Sequence, residues 1–212
     1  MVIRAVFFDV GETLVDETRH WGLWADHLGV PRFTFYAALG SVISEGRHHR
    51  DVFKIFDPDF DYHSAWQDRV ARGESYEFLP SDFYPDAIAC LRDLKGLGYK
   101  IGIAGNQPEG CEAALRRVGV EADILASSAL WGVEKPSLEF FERIIAAAGV
   151  PAGAIAYVGD HVTNDIEPAL RCGLSPVFIR RGPWAYLRGS GASAARAQIA
   201  SLSQLPEVIA SL

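Results

Sequence analysis

Asp9 closes the run Val2-Ile3-Arg4-Ala5-Val6-Phe7-Phe8-Asp9 and is followed at once by the turn-like Val10-Gly11-Glu12-Thr13-Leu14. A short apolar run rich in β-branched and aromatic residues reads as a buried parallel strand. A carboxylate at the carboxyl end of such a strand stands where open α/β sheets bind their ligands. Beside a cation it stays ionised and can act as a nucleophile. The alternative is an Asp that caps a helix after an ordinary strand, and three later segments bear on the choice. Ile101-Gly102-Ile103-Ala104-Gly105-Asn106 ends a second apolar run, and Val133-Glu134-Lys135-Pro136 opens a helical pattern. Tyr157-Val158-Gly159-Asp160-His161-Val162-Thr163-Asn164-Asp165 follows another strand-like run. If these ends converge, Asp9, Asp160 and Asp165 repel one another unless a cation joins them. A hard, oxygen-ligated ion such as Mg²⁺ is the natural choice. Lys135 adds positive charge beside a nucleophilic carboxylate and an anionic substrate.

The elements that must position these residues follow from periodicity. Apolar runs predict strands over Ile3 to Asp9, Lys100 to Ala104, Ile124 to Ser127, Ile155 to Val158 and Pro176 to Ile179. Helical patterns lie between the later runs, at Ala87 to Leu97, Glu109 to Val118, Pro136 to Ala148 and Asp165 to Cys172. Gly189 to Ala195 reads as a small-residue loop before a last helix ending near Leu212. Strands alternating with helices imply a Rossmann-like α/β fold with a parallel sheet and right-handed crossovers. Asp16 to Asp82 shows no convincing strand, and Trp21, Trp24 and Leu28, like Tyr62, Trp66 and Val70, fall at helical spacing. The expected division is an α/β core of residues 1–15 and 83–212 with a helical insertion of residues 16–82.

The 212 residues suit one such domain with an insertion. Hydrophobic residues make up 49 % and charged residues 22 % of the chain, the balance of an ordinary globular protein. A net charge of −7 argues against nucleic acid or an anionic membrane as partner. The apolar start stops at Asp9, too soon for a signal peptide or a membrane span. Cys90, Cys111 and Cys172 form no metal-type pair and are read as core filling in a reducing, cytoplasmic compartment.

With these segments in order, the chain resembles the haloacid dehalogenase superfamily of hydrolases. Asp9 to Leu14 is similar to that family's first motif, Lys135-Pro136 to its third, and Gly159-Asp160 with Asn164-Asp165 to its fourth. The insertion resembles the helical cap of many members, so the likeness spans essentially the whole chain. The resemblance implies that Asp9 attacks phosphorus to give an aspartyl-phosphate. It implies that Mg²⁺ is held by Asp9, the Gly11 carbonyl and Asp160, with Asp165 acting directly or through water. It implies further that Lys135 orients Asp9, and that backbone N–H groups after Asp9 and near Asn106 cradle the phosphate of a small phosphorylated substrate.

Two positions depart from the pattern. Phosphatases of the family carry a second Asp two residues after the nucleophile, which protonates the leaving group; here that position is Gly11. Gly105 stands where the second motif has Ser or Thr for a phosphate hydrogen bond, although Asn106 is retained. The expectation is a slow phosphatase, with two alternatives: a family member that binds a ligand or partner without efficient turnover, or a phosphonatase-like hydrolase using Lys54, the insertion's one lysine. Glu12 is a candidate on the substrate side and for the missing proton, but reads first as a solvent-facing turn residue. Lys54 and the cluster Arg47-His48-His49-Arg50 read first as solvated surface. Arg19, His20 and His161 are even-handed candidates for substrate contact.

Overall fold

The computed structural model describes residues 2–74 and 77–212; residue 1 of the expected core and residues 75–76 of the expected insertion lie outside them. Six strands are found among the described residues: β1 (Ala5–Phe8), β2 (Lys100–Gly105), β3 (Ile124–Ser127), β4 (Ile155–Gly159), β5 (Ser175–Ile179) and β6 (Ala197–Ile199). They form one all-parallel sheet in the order β3-β2-β1-β4-β5-β6. Five strands fall where the apolar runs predict. The sixth was not expected, because Ala197-Gln198-Ile199 is too short and half-exposed for the apolar-run criterion.

Helical segments link the strands. Within residues 16–82 lie α1 (Thr18–His27), α2 (Arg32–Ser44), α3 (Phe53–Phe56) and α4 (Tyr62–Ala71). The remainder are α5 (Ala87–Gly96), α6 (Cys111–Arg117), α7 (Ser128–Trp131), α8 (Leu138–Ala148), α9 (Glu167–Arg171), α10 (Gly182–Arg188) and α11 (Leu205–Ser211). α8 begins later than the sequence suggests: Ser137 is its cap and Pro136 lies outside it, while Gly149 closes it in a left-handed conformation. Asp165 does not open an ordinary helix. It sits in a π-helical turn, Val162–Ile166, that precedes α9.

The two faces of β1 bury different layers, as alternation requires. Val6 and Phe8 join Leu91, Leu94, Leu115 and Leu205 under α5, α6 and α11. Ala5 and Phe7 join Phe140, Phe141 and Ile144 under α8 and α9. The helices of residues 16–82 pack around a core of their own, built on Trp21, Trp24, Phe35, Val42 and Phe53.

Phe7 needs room on β2. Gly102 is its register partner, and a Cβ there would collide with the Phe7 ring. Overpacking a tight core costs about 1–3 kcal/mol. Gly102→Val is therefore expected to lower stability by that amount, read from the urea midpoint at unchanged slope; an unchanged midpoint would show that Phe7 can move aside.

Candidate active site

The order of strands reverses at β1, which pairs with β2 on one side and β4 on the other. A crevice opens at the carboxyl ends of strands at such a switch point. Asp9 follows β1, Asn106 follows β2 and Asp160 follows β4, so all three reach this crevice. Lys135 enters from the loop before α8. Its Nζ lies 2.8 Å from Asp9 Oδ1 and 2.7 Å from Asp165 Oδ1, and it donates to Tyr157 Oη at 3.1 Å. Tyr157 donates onward to the Ala104 carbonyl at 2.9 Å. Burial disfavours the Lys135 ammonium, yet Asp165 and Asp9 outweigh it and raise its pKa well above the lysine norm.

Asp9, Asp160 and Asp165 each offer one oxygen within 4.8 Å of the others. Their surroundings differ. Asp165 is fully buried, with Lys135 on one oxygen and the His161 N–H donating to the other at 2.9 Å. Gly159 makes this packing possible, since a Cβ there would strike the Asp165 carboxylate. Asp160 is also buried, but its Oδ2 has no hydrogen-bond partner. Burial, then the Asp165 and Asp9 charges, pushes the Asp160 carboxyl well above the usual range. Burial likewise raises Asp9 against the pull of Lys135. A buried carboxylate oxygen without a donor, facing two further carboxylates, fits a hard divalent cation.

Asn106 serves Lys135. Its Oδ1 accepts the Lys135 N–H at 2.7 Å and its Nδ2 donates to the Lys135 carbonyl at 2.9 Å. Gly105 gives Asp9 its position, because a Cβ at residue 105 would collide with Asp9 Oδ1. Ser or Thr there would compete with the rotamer that reaches Lys135.

Glu12 is not the solvent-facing residue expected. It is 6 % exposed and its φ is +52°, in the left-handed region. Its Oε2 accepts from Tyr84 Oη at 2.6 Å and its Oε1 from the Glu17 N–H at 3.1 Å. Both oxygens therefore hold the turn rather than the crevice. Arg181 secures the same turn, donating to the Thr13 carbonyl at 3.1 Å while it pairs with Asp86 and covers the Tyr84 ring.

Between the sheet edge and the helices lies a cavity of about 150 Å³ lined by Asp9, Gly11, Glu17, Lys135, Asp160 and Asp165, among others. His20, His49, Arg50, His161 and Trp184 form more of its wall. The basic cluster is exposed at Arg47, His48 and Arg50, as expected, and half-buried at His49. Arg47 pairs outward with Glu45 and Asp51, whereas His49 and Arg50 line the cavity. Lys54 is exposed and is not among the lining residues. Burial lowers His49 to about 3 and His20 and His161 to about 4, so these rings are neutral at pH 7.

Glu17 is a lining residue that the sequence does not single out. Its carboxyl is pushed up to about 8, by burial first and then by Glu12. The available signal was a Glu at a helix cap, where Asp, Asn, Ser or Thr is the usual choice.

A family model of haloacid dehalogenase-like hydrolases matches residues 3–173. The chain belongs to this family. A glyceraldehyde 3-phosphate phosphatase of Methanopyrus kandleri is 29 % identical to this haloacid dehalogenase-like hydrolase over 209 residues, 86 % of each chain. A phosphatase of the same description from Methanocaldococcus jannaschii is 35 % identical over 105 residues, 48 % of this chain and 46 % of that relative. Among solved structures, a phosphatase of the family from Thermococcus onnurineus superposes with a TM-score of 0.64 at 24 % identity over 98 % of both chains, a likeness of fold. No helix among the described residues of this family member is long and apolar enough to cross a membrane.

The buried histidines set a pH dependence. His49 titrates at about 3 in the fold against an ordinary 6.5, so the unfolded chain takes up a proton that the fold refuses as the pH drops. The stability His49 contributes is complete above pH 6.5 and is lost progressively below it. His49→Asn is expected to lose about 2 kcal/mol less than the unmodified chain when urea unfolding is compared at neutral pH and near pH 5. Equal losses would mean that His49 is protonated in the fold.

Proposed function

We propose that this chain is a Mg²⁺-dependent phosphatase of small phosphorylated metabolites, with Asp9 as nucleophile. The observation that carries the reading is the convergence of Asp9, Asp160 and Asp165 about Lys135, with one buried Asp160 oxygen left without a donor. The relatives named above support the substrate class, and a cavity of about 150 Å³ suits a molecule of a few carbons bearing one phosphate.

Asp9, Asp160, the Gly11 carbonyl and Asp165, directly or through water, are the groups that hold the cation. When bound, Mg²⁺ offsets the negative charge of the phosphoryl group and of the clustered carboxylates. The protein's own groups divide the remaining work. Lys135 fixes one oxygen of Asp9 and leaves the other to attack phosphorus, so the nucleophile is oriented before substrate arrives. Tyr157 and Asn106 fix Lys135 in turn. Backbone N–H groups after Asp9 and at Asn106 are donors for the phosphoryl oxygens. The helices of residues 16–82 act as a cap domain over the sheet edge. They bring Arg50 and the neutral His20 and His49 to the substrate's far end, where they donate hydrogen bonds and one positive charge.

Saturating Mg²⁺ is expected to stabilise the fold by about 2–3 kcal/mol through mass action, seen as a rise in Tm. Asp160→Ala should remove the rise, and Asp9→Asn should abolish release of p-nitrophenol from p-nitrophenyl phosphate. A Tm rise of the same size in Asp160→Ala would put the cation elsewhere, and p-nitrophenol released by Asp9→Asn at the unmodified rate would reject the nucleophile.

A further inference from the structure

Cleavage of an alkyl phosphate leaves an alkoxide that needs a proton, and the water that follows needs a base. The residue two after the nucleophile has no side chain to serve, because it is Gly11. The space that side chain would occupy is filled. A Cβ built on Gly11 would lie 2.5 Å from Glu17 Oε1, 2.8 Å from Glu17 Cδ and 3.3 Å from Glu17 Oε2. A carboxyl is therefore present beside Gly11, supplied from six residues further along the chain.

Glu17 is the cap residue of α1, yet its side chain accepts no helix N–H. Its own N–H is taken by Glu12, whose positive φ turns the loop so that α1 starts against the crevice. Oε2 accepts from Trp21 Nε1 at 3.2 Å, one turn along α1, which fixes the rotamer. Oε1 lies against Gly11 on the side where a Cβ would stand, and Glu17 lines the cavity together with Asp9, Lys135 and Asp160. Of the other carboxyls between Asp9 and α1, Glu12 is engaged at both oxygens and Asp16 accepts the Thr18 N–H at 2.8 Å, and neither is among the lining residues.

We infer that Glu17 is the general acid and base of this enzyme, relocated from the position that Gly11 vacates. The inference rests on the phosphatase reading. In the first step an Asp9 oxygen bonds to phosphorus and the bond from phosphorus to the leaving oxygen breaks. The electron pair goes to that oxygen, which takes the Glu17 proton and departs as an alcohol. In the second step water bonds to phosphorus and gives a proton to the Glu17 carboxylate. The bond from phosphorus to Asp9 then breaks, returning the Asp9 carboxylate, inorganic phosphate and a protonated Glu17. No further reactant is required. With Glu17 in this rotamer, a side chain at residue 11 would compete with it for one volume.

The test compares two esters in the presence of Mg²⁺: glyceraldehyde 3-phosphate, whose leaving group needs a proton, and p-nitrophenyl phosphate, whose leaving group does not. Glu17→Gln should lose 10²–10⁴-fold on the first ester. On the second it should release p-nitrophenol in a burst of about one equivalent and then stall, because the phosphoenzyme lacks its base. Tm with Mg²⁺ checks that the variant is folded. Should it not be, the pair Glu17→Ala and Glu17→Ala/Gly11→Asp replaces it, the Asp restoring turnover of the alkyl ester that the Ala removes. Equal small losses on both esters without a burst, or no rescue by Gly11→Asp, would overturn the assignment while leaving the phosphatase intact. An unmodified protein that cleaves neither ester would overturn the phosphatase reading and the assignment with it.

Discussion

A buried ammonium holds this site together. Asp9 and Asp165 bracket Lys135 at 2.8 and 2.7 Å, and without that charge three carboxylates would face one another at the edge of the sheet. Removing one partner of a buried ion pair leaves a charge that water cannot reach, at a cost of about 3–5 kcal/mol. The surrounding structure is arranged to keep the ammonium in place. Tyr157 presents its hydroxyl from the middle of β4, Asn106 grips the Lys135 backbone from both sides, and the absence of side chains at Gly105 and Gly159 lets Asp9 and Asp165 close in. One lysine pairs with two of the three carboxylates, and its single positive charge offsets only one of three negative ones. The unpartnered Asp160 oxygen is where the proposed divalent cation would complete the balance.

The sheet explains why such a cluster forms at all. Parallel strands end on one side, and the reversal of order at β1 splays the connections that leave β1, β2 and β4. Residues distant in sequence, near positions 9, 106, 135 and 160, therefore share a crevice without any long-range pairing of their own. The turn after Asp9 is braced from behind by Glu12, Tyr84, Arg181 and Asp86, which fixes where α1 begins and hence where Glu17 points.

What could be read from sequence were the features encoded within a few residues. Asp9, Asp160 and Asp165 each follow a buried run, and Lys135 precedes an amphipathic helix, so their meeting at one edge follows from strand alternation. What could not be read depends on contacts made across the fold. Tyr157 looks like one more core aromatic until its hydroxyl is seen between Lys135 and Ala104. Glu12 looks exposed until Tyr84, from the far side of the insertion, covers it. His49 and Arg50 belong to a charged stretch that reads as solvated surface; Arg50 is exposed, yet both line the cavity. Glu17 lies six residues beyond the position where a proton donor is sought, and only the turn geometry returns it there. The short β6 is illegible for a different reason: three residues, of which Ile199 alone is buried, carry too little apolar signal to register.

The account turns on covalent chemistry at Asp9, and rapid-quench peptide mapping addresses it most directly. The protein is mixed with p-nitrophenyl phosphate and Mg²⁺, quenched in acid within one turnover, digested and analysed by mass spectrometry. The account predicts one phosphoryl group on the peptide that contains Asp9, lost as turnover completes. Turnover with Asp9 unmodified at every time point, or with the phosphoryl group on another residue, would contradict it.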